Sequence, residues 1–245
     1  MPKTLPHKLV VSISSRALFD LSESHAVYET QGEAAYAEYQ RKHESEPLAE
    51  GPAFSMVKKM LRLNEGREEP LVEIILLSRN SADTGLRIFN SIAHYDLKMT
   101  RAVFTSGRAP YDYAQAFKSH LFLSADASDV KRALENGLAA ATLLTKEHPK
   151  SVHEELRIAF DGDAVLFSDE SERIYQEQDL AAFNENETKE ANNPMSGGPF
   201  KQFLTTLSSI QALYPGDASL IRTALVTARS APSHERVIKT LRAWG

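Results

Sequence analysis

Asp161 and Asp163 stand one glycine apart at the end of the run Leu156-Arg-Ile-Ala-Phe160. In that run Leu156, Ile158 and Phe160 alternate with Arg157 and Ala159, which is the period of a strand. A strand ending in two carboxylates presents them at its carboxyl end, where the sites of open α/β sheets lie. Two such acids cannot both leave water unpaired, because uncompensated buried charge costs roughly several kcal/mol. A hard cation resolves the conflict: Mg²⁺ prefers oxygen ligands and combines carboxylates with water and phosphate oxygens. One carboxylate can then attack phosphorus and form an aspartyl-phosphate. The other can protonate the leaving alkoxide and later activate water. Gly162 is expected to let the backbone turn so that both side chains face one site. A solvated acidic turn is the alternative reading of this stretch. Asp169, Glu170 and Glu172 suit the first turn of a helix, where acids favour the helix dipole.

A second constellation lies downstream. Leu225-Val226-Thr227-Ala228-Arg229 reads as a strand ending in a hydroxyl and then a guanidinium. Arg229 could clamp a phosphate with its planar fork, or form a surface ion pair. Thr227 could cap a helix. Ala181 to Gly198 is polar and rich in Asn and Glu, which suits a loop or lid over the site. Gly197-Gly198-Pro199 could cradle a phosphate, but its twin Glu50-Gly51-Pro52 favours a helix-entry turn.

The segment Asp161-Gly-Asp-Ala-Val165 fits the D-x-D-x-[TV] first motif of the haloacid dehalogenase (HAD) superfamily of phosphatases. The longer run FDGDAVLFSDESERI, Phe160 to Ile174, resembles the cytosolic 5'-nucleotidase I family, an AMP-preferring group. This resemblance implies Mg²⁺-dependent hydrolysis of a nucleoside 5'-monophosphate to nucleoside and phosphate. By it Asp161 is nucleophile and metal ligand, and Asp163 is acid/base with its backbone carbonyl on the metal. Thr227 takes the second-motif role of holding the transferring phosphoryl group, with Arg229 as a further phosphate contact. The family's third motif, a lysine, and its fourth, later acids, have no counterpart before Gly245. The expectation is therefore a chain truncated before those motifs, with weak turnover by itself. Competing readings are a non-catalytic scaffold or binding chain, and a HAD phosphatase for another phosphomonoester.

These residues need elements to position them. Strands are expected at Leu9–Ile13, Val72–Leu77, Arg101–Thr105, His120–Leu123 and Ala139–Leu144. Helices are expected at Glu23–Lys42, Ala53–Leu63, from an N-cap at Ser81 to about Tyr95, and Ala127–Asn136 ended by Gly137. SGRAP, Ser106 to Pro110, reads as a turn, and TKEHPKSVHEE, from Thr145, as a polar linker. Alternating strands and helices predict an α/β fold, a HAD-like Rossmannoid parallel sheet with helices on both faces.

The chain also repeats itself. Ser14-Ser15-Arg16-Ala17 lies where Asp161-Gly162-Asp163-Ala164 lies 147 residues later, and Pro47…Gly51-Pro52 matches Pro194…Gly198-Pro199 at the same offset. The stretches from Leu76 and Leu225 match at an offset of 149, setting Arg87 against Arg236 and Tyr95 against Trp244. The expectation is an internally duplicated fold with an incomplete second copy. Residues 1–148 form a HAD-like half without catalytic acids, and 149–245 carry the two motifs.

Composition narrows the function class. The 245 residues are 42% hydrophobic and 25% charged, ordinary for a soluble globular protein. A formal charge of −5 gives no basic field for nucleic acid. With no cysteine there is neither disulfide nor thiolate chemistry. MPKTLPHKLVV lacks a signal-peptide core, and no apolar run reaches the ~20 residues that span a bilayer. Composition thus argues against nucleic acid and membrane as partners, and the resemblance implies a nucleoside monophosphate as substrate. The expected location is cytoplasmic, and a homo-oligomer is compatible with all of this.

Overall fold

The computed structural model describes residues 8–144, 153–214, 216, 219–229, 231 and 233–244. The chain divides into two compact units, 1–154 and 155–245. Most of the polar stretch read as a linker lies outside the described residues.

The first unit runs β1 (Leu9–Ser14), α1 (Ser15–Leu18), α2 (Ser22–Lys42), α3 (Phe54–Arg62), β2 (Val72–Ser78), α4 (Leu86–His94), β3 (Arg101–Phe104), α5 (Tyr111–Ala116), β4 (Leu121–Ser124), α6 (Ala127–Glu135) and β5 (Ala140–Thr142). Its sheet has the order β3-β2-β1-β4-β5 and every pairing is parallel. Because β1 and β2 are covered on both faces, they are nearly continuous apolar runs and buried almost throughout. Val10, Ile75, Leu77, Phe122, Val130 and Ala133 form one core cluster on this sheet.

Local chemistry explains the boundaries. Asp126 caps α6 by accepting from the backbone N–H of Ser128 at 2.8 Å, and Gly137 follows the helix at φ +75°. Ser81 does not cap α4. Its Oγ accepts from Thr84 N at 3.2 Å and closes a turn, and the helix starts only at Leu86. The region read as one helix from Glu23 is broken at Gly32, where φ is +85°. The turn at Ser106–Pro110 leads into α5, a short helix that the sequence reading did not separate.

The second unit runs β6 (Leu156–Asp161), a turn over Gly162–Leu166, α7 (Glu170–Glu177), α8 (Leu180–Lys189), α9 (Lys201–Gln211), β7 (Ile221–Val226) and α10 (His234–Trp244). Among the described residues β6 and β7 pair with each other alone, in parallel, from Leu156↔Ile221 to Asp161↔Val226. Burial in β6 alternates, Leu156 and Phe160 inward, as in a half-covered strand. Leu166, Phe167, Met195 and Val237 form the core of this unit.

The two units share internal bonds. Leu9 N–H donates to Leu71 O, and Leu156 N–H to Leu220 O, both at 2.8 Å. Phe19 bridges Glu50 and Phe167 bridges Gly197, each antiparallel. Gly51 N–H donates to Leu18 O and Gly198 N–H to Leu166 O, both at 2.9 Å. Leu48 N–H donates to Ser91 Oγ at 2.9 Å, and Met195 N–H to Thr240 Oγ1 at 3.0 Å. A Cβ on either corner glycine would strike backbone, at 2.7 Å from Leu18 C for Gly51 and 2.4 Å from Phe167 O for Gly198. Only glycine lets the two segments approach that closely.

Candidate functional site

The pairing Asp161↔Val226 sets the ends of β6 and β7 side by side, so Thr227 emerges next to Asp161. Asp161 is exposed, and its carboxylate has no ion pair or hydrogen bond to a described residue. Beyond it the chain turns, and Phe167 N–H donates to Gly162 O at 3.0 Å. The left-handed residue of this turn is Ala164, at φ +57°, and not Gly162 as the sequence suggested. A Cβ on Gly162 would come no nearer than 3.4 Å to Phe167 Cε2. Gly162 is therefore a small residue in an ordinary conformation, and the reversal between the acids and Phe167 falls on Ala164.

Asp163 is turned into the unit. Arg229 grips it through Nε, at 2.9 Å to Oδ1 and 3.1 Å to Oδ2, and also through Nη2. The Asp163 side chain remains 25% exposed while that of Arg229 is 2% exposed. The Nη1 of Arg229 donates to Glu187 Oε2. Below the guanidinium lies the ring of Phe183, with Cζ 5.1 Å from the centroid. Burial acts to lower the pKa of Arg229, but Asp163 and Glu187 outweigh it and the net shift is upward. Arg229 is thus no surface ion pair: its side chain is buried, and its Nε, Nη1 and Nη2 are each engaged by carboxylates.

Glu187 was not singled out in the sequence. It sits on α8, inside the stretch expected to be a loop or lid. Asp179 caps that helix by accepting from Ala182 N at 2.8 Å, and its Ala-rich first turn propagates it. The Glu187 carboxylate is fully buried. Its Oε1 accepts from Arg236 Nη1 at 2.9 Å, Ser171 Oγ at 2.8 Å and Asn186 Nδ2 at 3.2 Å. One signal could have found it: the two blocks matched at an offset of 147 flank this stretch and set Glu187 against Gln40, another buried polar residue.

Thr227 has a second duty. Its Oγ1 accepts from the backbone N–H of Arg229 at 3.2 Å, and α10 begins only at His234, so it orders the turn after β7 and is no cap of α10. The hydroxyl proton stays available to a ligand. Asp169 and Glu170 stand at the start of α7, with Asp169 3.8 Å from Arg173 one turn on. Asn192 accepts from Lys239 at 2.7 Å, and the Asn193 carbonyl accepts from Arg236 Nε at 3.0 Å, so both help hold α10.

The donor set suits a hard cation only in part. Asp161 offers a carboxylate with no partner among the described residues, while the carboxylate of Asp163 belongs to Arg229 and leaves its backbone carbonyl. Among the described residues no three His, Asp or Glu side chains gather as a ready metal site. Mg²⁺ often binds with few protein ligands and fills its shell with water and phosphate oxygens, which this set allows.

Comparison with known proteins adds an independent line. Cytosolic 5'-nucleotidase 1B of Homo sapiens is 39% identical over 256 residues, an alignment covering 100% of this chain and 42% of that protein. The chain therefore spans well under half the length of that curated relative. No solved structure matches it. The profile of the 5'-nucleotidase family matches residues 1–245, the whole chain. With the acids of the first motif at one strand end and a threonine at the next, the chain belongs to the 5'-nucleotidase family.

Proposed function

We propose that the protein is a Mg²⁺-dependent 5'-nucleotidase that hydrolyses nucleoside 5'-monophosphates of the AMP type. The observation that carries this reading is the adjacency of Asp161, exposed and without a partner among the described residues, and Thr227 at neighbouring strand ends in a chain of this family. The name of the human relative supports a 5'-nucleotide substrate and a cytosolic location, and the AMP type rests on the resemblance of Phe160–Ile174.

In this reading Asp161 Oδ attacks phosphorus, the O–P bond of the aspartyl-phosphate forms, and the ester P–O bond breaks. Asp163 passes a proton to the departing ribose oxygen. It then takes one from the water that cleaves the aspartyl-phosphate, which restores both acids. Thr227 donates its hydroxyl to a phosphoryl oxygen. Arg229 orients Asp163, a role that differs from the phosphate contact expected from the sequence. Mg²⁺, held by the Asp161 carboxylate and the Asp163 carbonyl, would offset phosphate charge when bound. The shared bonds of the two units also support their origin by duplication, with Ser14 and Arg16 standing for the two acids in the first.

Phosphate release from AMP in the presence of Mg²⁺ tests the reading, with Asp161→Asn beside the wild type. Loss of at least about 10³-fold in turnover is expected, the scale of removing a nucleophile. A phosphorylated peptide containing Asp161 should be trapped by rapid acid quench. Full turnover in Asp161→Asn would sink the assignment. A second reading, nucleotide binding without hydrolysis, draws on the thin donor set for metal. It predicts AMP binding with no phosphate release.

A further inference from the structure

The first unit supplies an internal control for the buried carboxylate of the second. There Arg87 Nη1 donates to Gln40 Oε1 at 3.3 Å, and Arg87 Nε to the Glu46 carbonyl at 3.0 Å. In the second unit Arg236 Nη1 donates to Glu187 Oε1 at 2.9 Å, and Arg236 Nε to the Asn193 carbonyl at 3.0 Å. Gln40 and Glu187 are both 1% exposed. An amide oxygen and a carboxylate oxygen thus hold the same buried arginine in the same way. That arginine alone does not require an acid.

What differs lies two residues beyond the hydroxyl residue at the end of the second strand of each unit, Ser78 in the first and Thr227 in the second. Asn80 N–H donates to Ser78 Oγ, and Arg229 N–H to Thr227 Oγ1, both at 3.2 Å. The first unit thus has a neutral amide where the second has a guanidinium. Tyr36 donates its hydroxyl to Asn80 at 3.1 Å, where the Phe183 ring underlies Arg229. The other oxygen of Glu187 completes the contrast. Oε1 takes Arg236, Ser171 and Asn186, while Oε2 takes Arg229. The matching atom of Gln40 is a donor, Nε2, and it donates to Tyr36 Oη at 3.0 Å. The acid occurs where the cation occurs.

We propose that Glu187 is a positioning residue for the reaction: its Oε2 fixes the plane of the Arg229 guanidinium, and Arg229 thereby aims the Asp163 carboxylate. This rests on the reading of Asp161 and Asp163 as the reacting pair. Glu187→Gln is a selective probe. It retains an oxygen for Arg236, Ser171 and Asn186, and turns an NH₂ group toward Arg229, donor against donor. The neutral amide of Gln40 shows that the scaffold tolerates such a residue.

The experiment measures kcat and KM for AMP with Mg²⁺, and thermal melting, in wild type, Glu187→Gln, Arg229→Asn, the double variant and Asp161→Asn. Glu187→Gln is expected to fold and to lose at least about tenfold in kcat with KM changed less than about threefold. In the Arg229→Asn background the same change should alter kcat less than about twofold, because a residue that acts through another adds nothing once that other is gone. The double variant, which copies the neutral pair of the first unit, should melt no lower than Arg229→Asn alone. In NMR spectra the Arg229 Nε–H signal should be sharp in wild type and broadened in Glu187→Gln, a readout that needs no turnover. Wild-type kcat in Glu187→Gln, a multiplicative loss in the double variant, an unchanged Nε–H signal, or failure of Glu187→Gln to fold would each overturn the proposal. Turnover in Asp161→Asn would instead remove the site reading beneath it.

Discussion

Between Asp161 and Phe167 the chain reverses on Ala164, a residue with a Cβ in left-handed backbone. Such conformations cost about 1–3 kcal/mol and persist where the surroundings over-determine them. Ala164→Val should add β-branched crowding and lower stability by about 1–3 kcal/mol. Gly162→Ala should cost less than about 1 kcal/mol, since its nearest neighbour would be 3.4 Å away. Urea unfolding of the two variants checks the ranking, and the reverse order would return the turn to Gly162. At this scale the sequence singled out Asp161, Asp163, Thr227 and Arg229 as candidates, and the register of β6 against β7 brings the ends that carry them side by side. It did not reveal that Arg229 faces Asp163. That contact joins segments 66 residues apart and depends on the register of β6 against β7. Glu187 was hidden because its neighbours Asn184, Glu185, Asn186 and Thr188 give the stretch the composition of a surface loop.

The turns that lead into α3 and α9 hold close backbone approaches in both units, and their glycines, Gly51 and Gly198, are steric necessities. Gly198→Ala would set a Cβ 2.4 Å from Phe167 O and 2.5 Å from Val165 O, both backbone atoms that cannot swing aside. A loss of about 1–3 kcal/mol or more is expected, visible as a lower melting temperature. Gly66→Ala meets nothing within 4 Å and should show only the milder strain of its φ of +70°. On α6 the cap gives a pH-dependent test. Hydrogen bonding from Ser128 lowers the Asp126 pKa, and burial opposes it more weakly. A depressed folded-state pKa means that the cap stabilises fully above the ordinary aspartate range and loses this as pH falls through the lowered value. Asp126→Ala should therefore cost about 1 kcal/mol near neutral pH, and the gap to wild type should close under strong acid in pH-dependent melting. Strand positions were readable because buried parallel strands are apolar runs; the start of α4 was not, because Ser81 caps a turn just as it would cap a helix.

Across the whole molecule, no helix among the described residues is long and apolar enough to cross a membrane. The parallel α/β class was legible from alternating segments. The strand order β3-β2-β1-β4-β5 was not, since it depends on crossovers that no local pattern encodes. The units differ most in how their strands are flanked. In the first, β1 is paired on both sides by β2 and β4; in the second, β6 and β7 have only each other among the described residues. The exposed flank of β7 includes Val226, 58% exposed. That difference has a signature in time. Amide hydrogens of Val11 and Ile75 should exchange with deuterium only through large-scale opening, whereas those of β7 should exchange through local fraying, orders of magnitude sooner. Mass-spectrometric exchange of this chain over minutes to hours would resolve the two classes. Adding a synthetic strand peptide that docks on the free edge should slow the second class and leave the first unchanged.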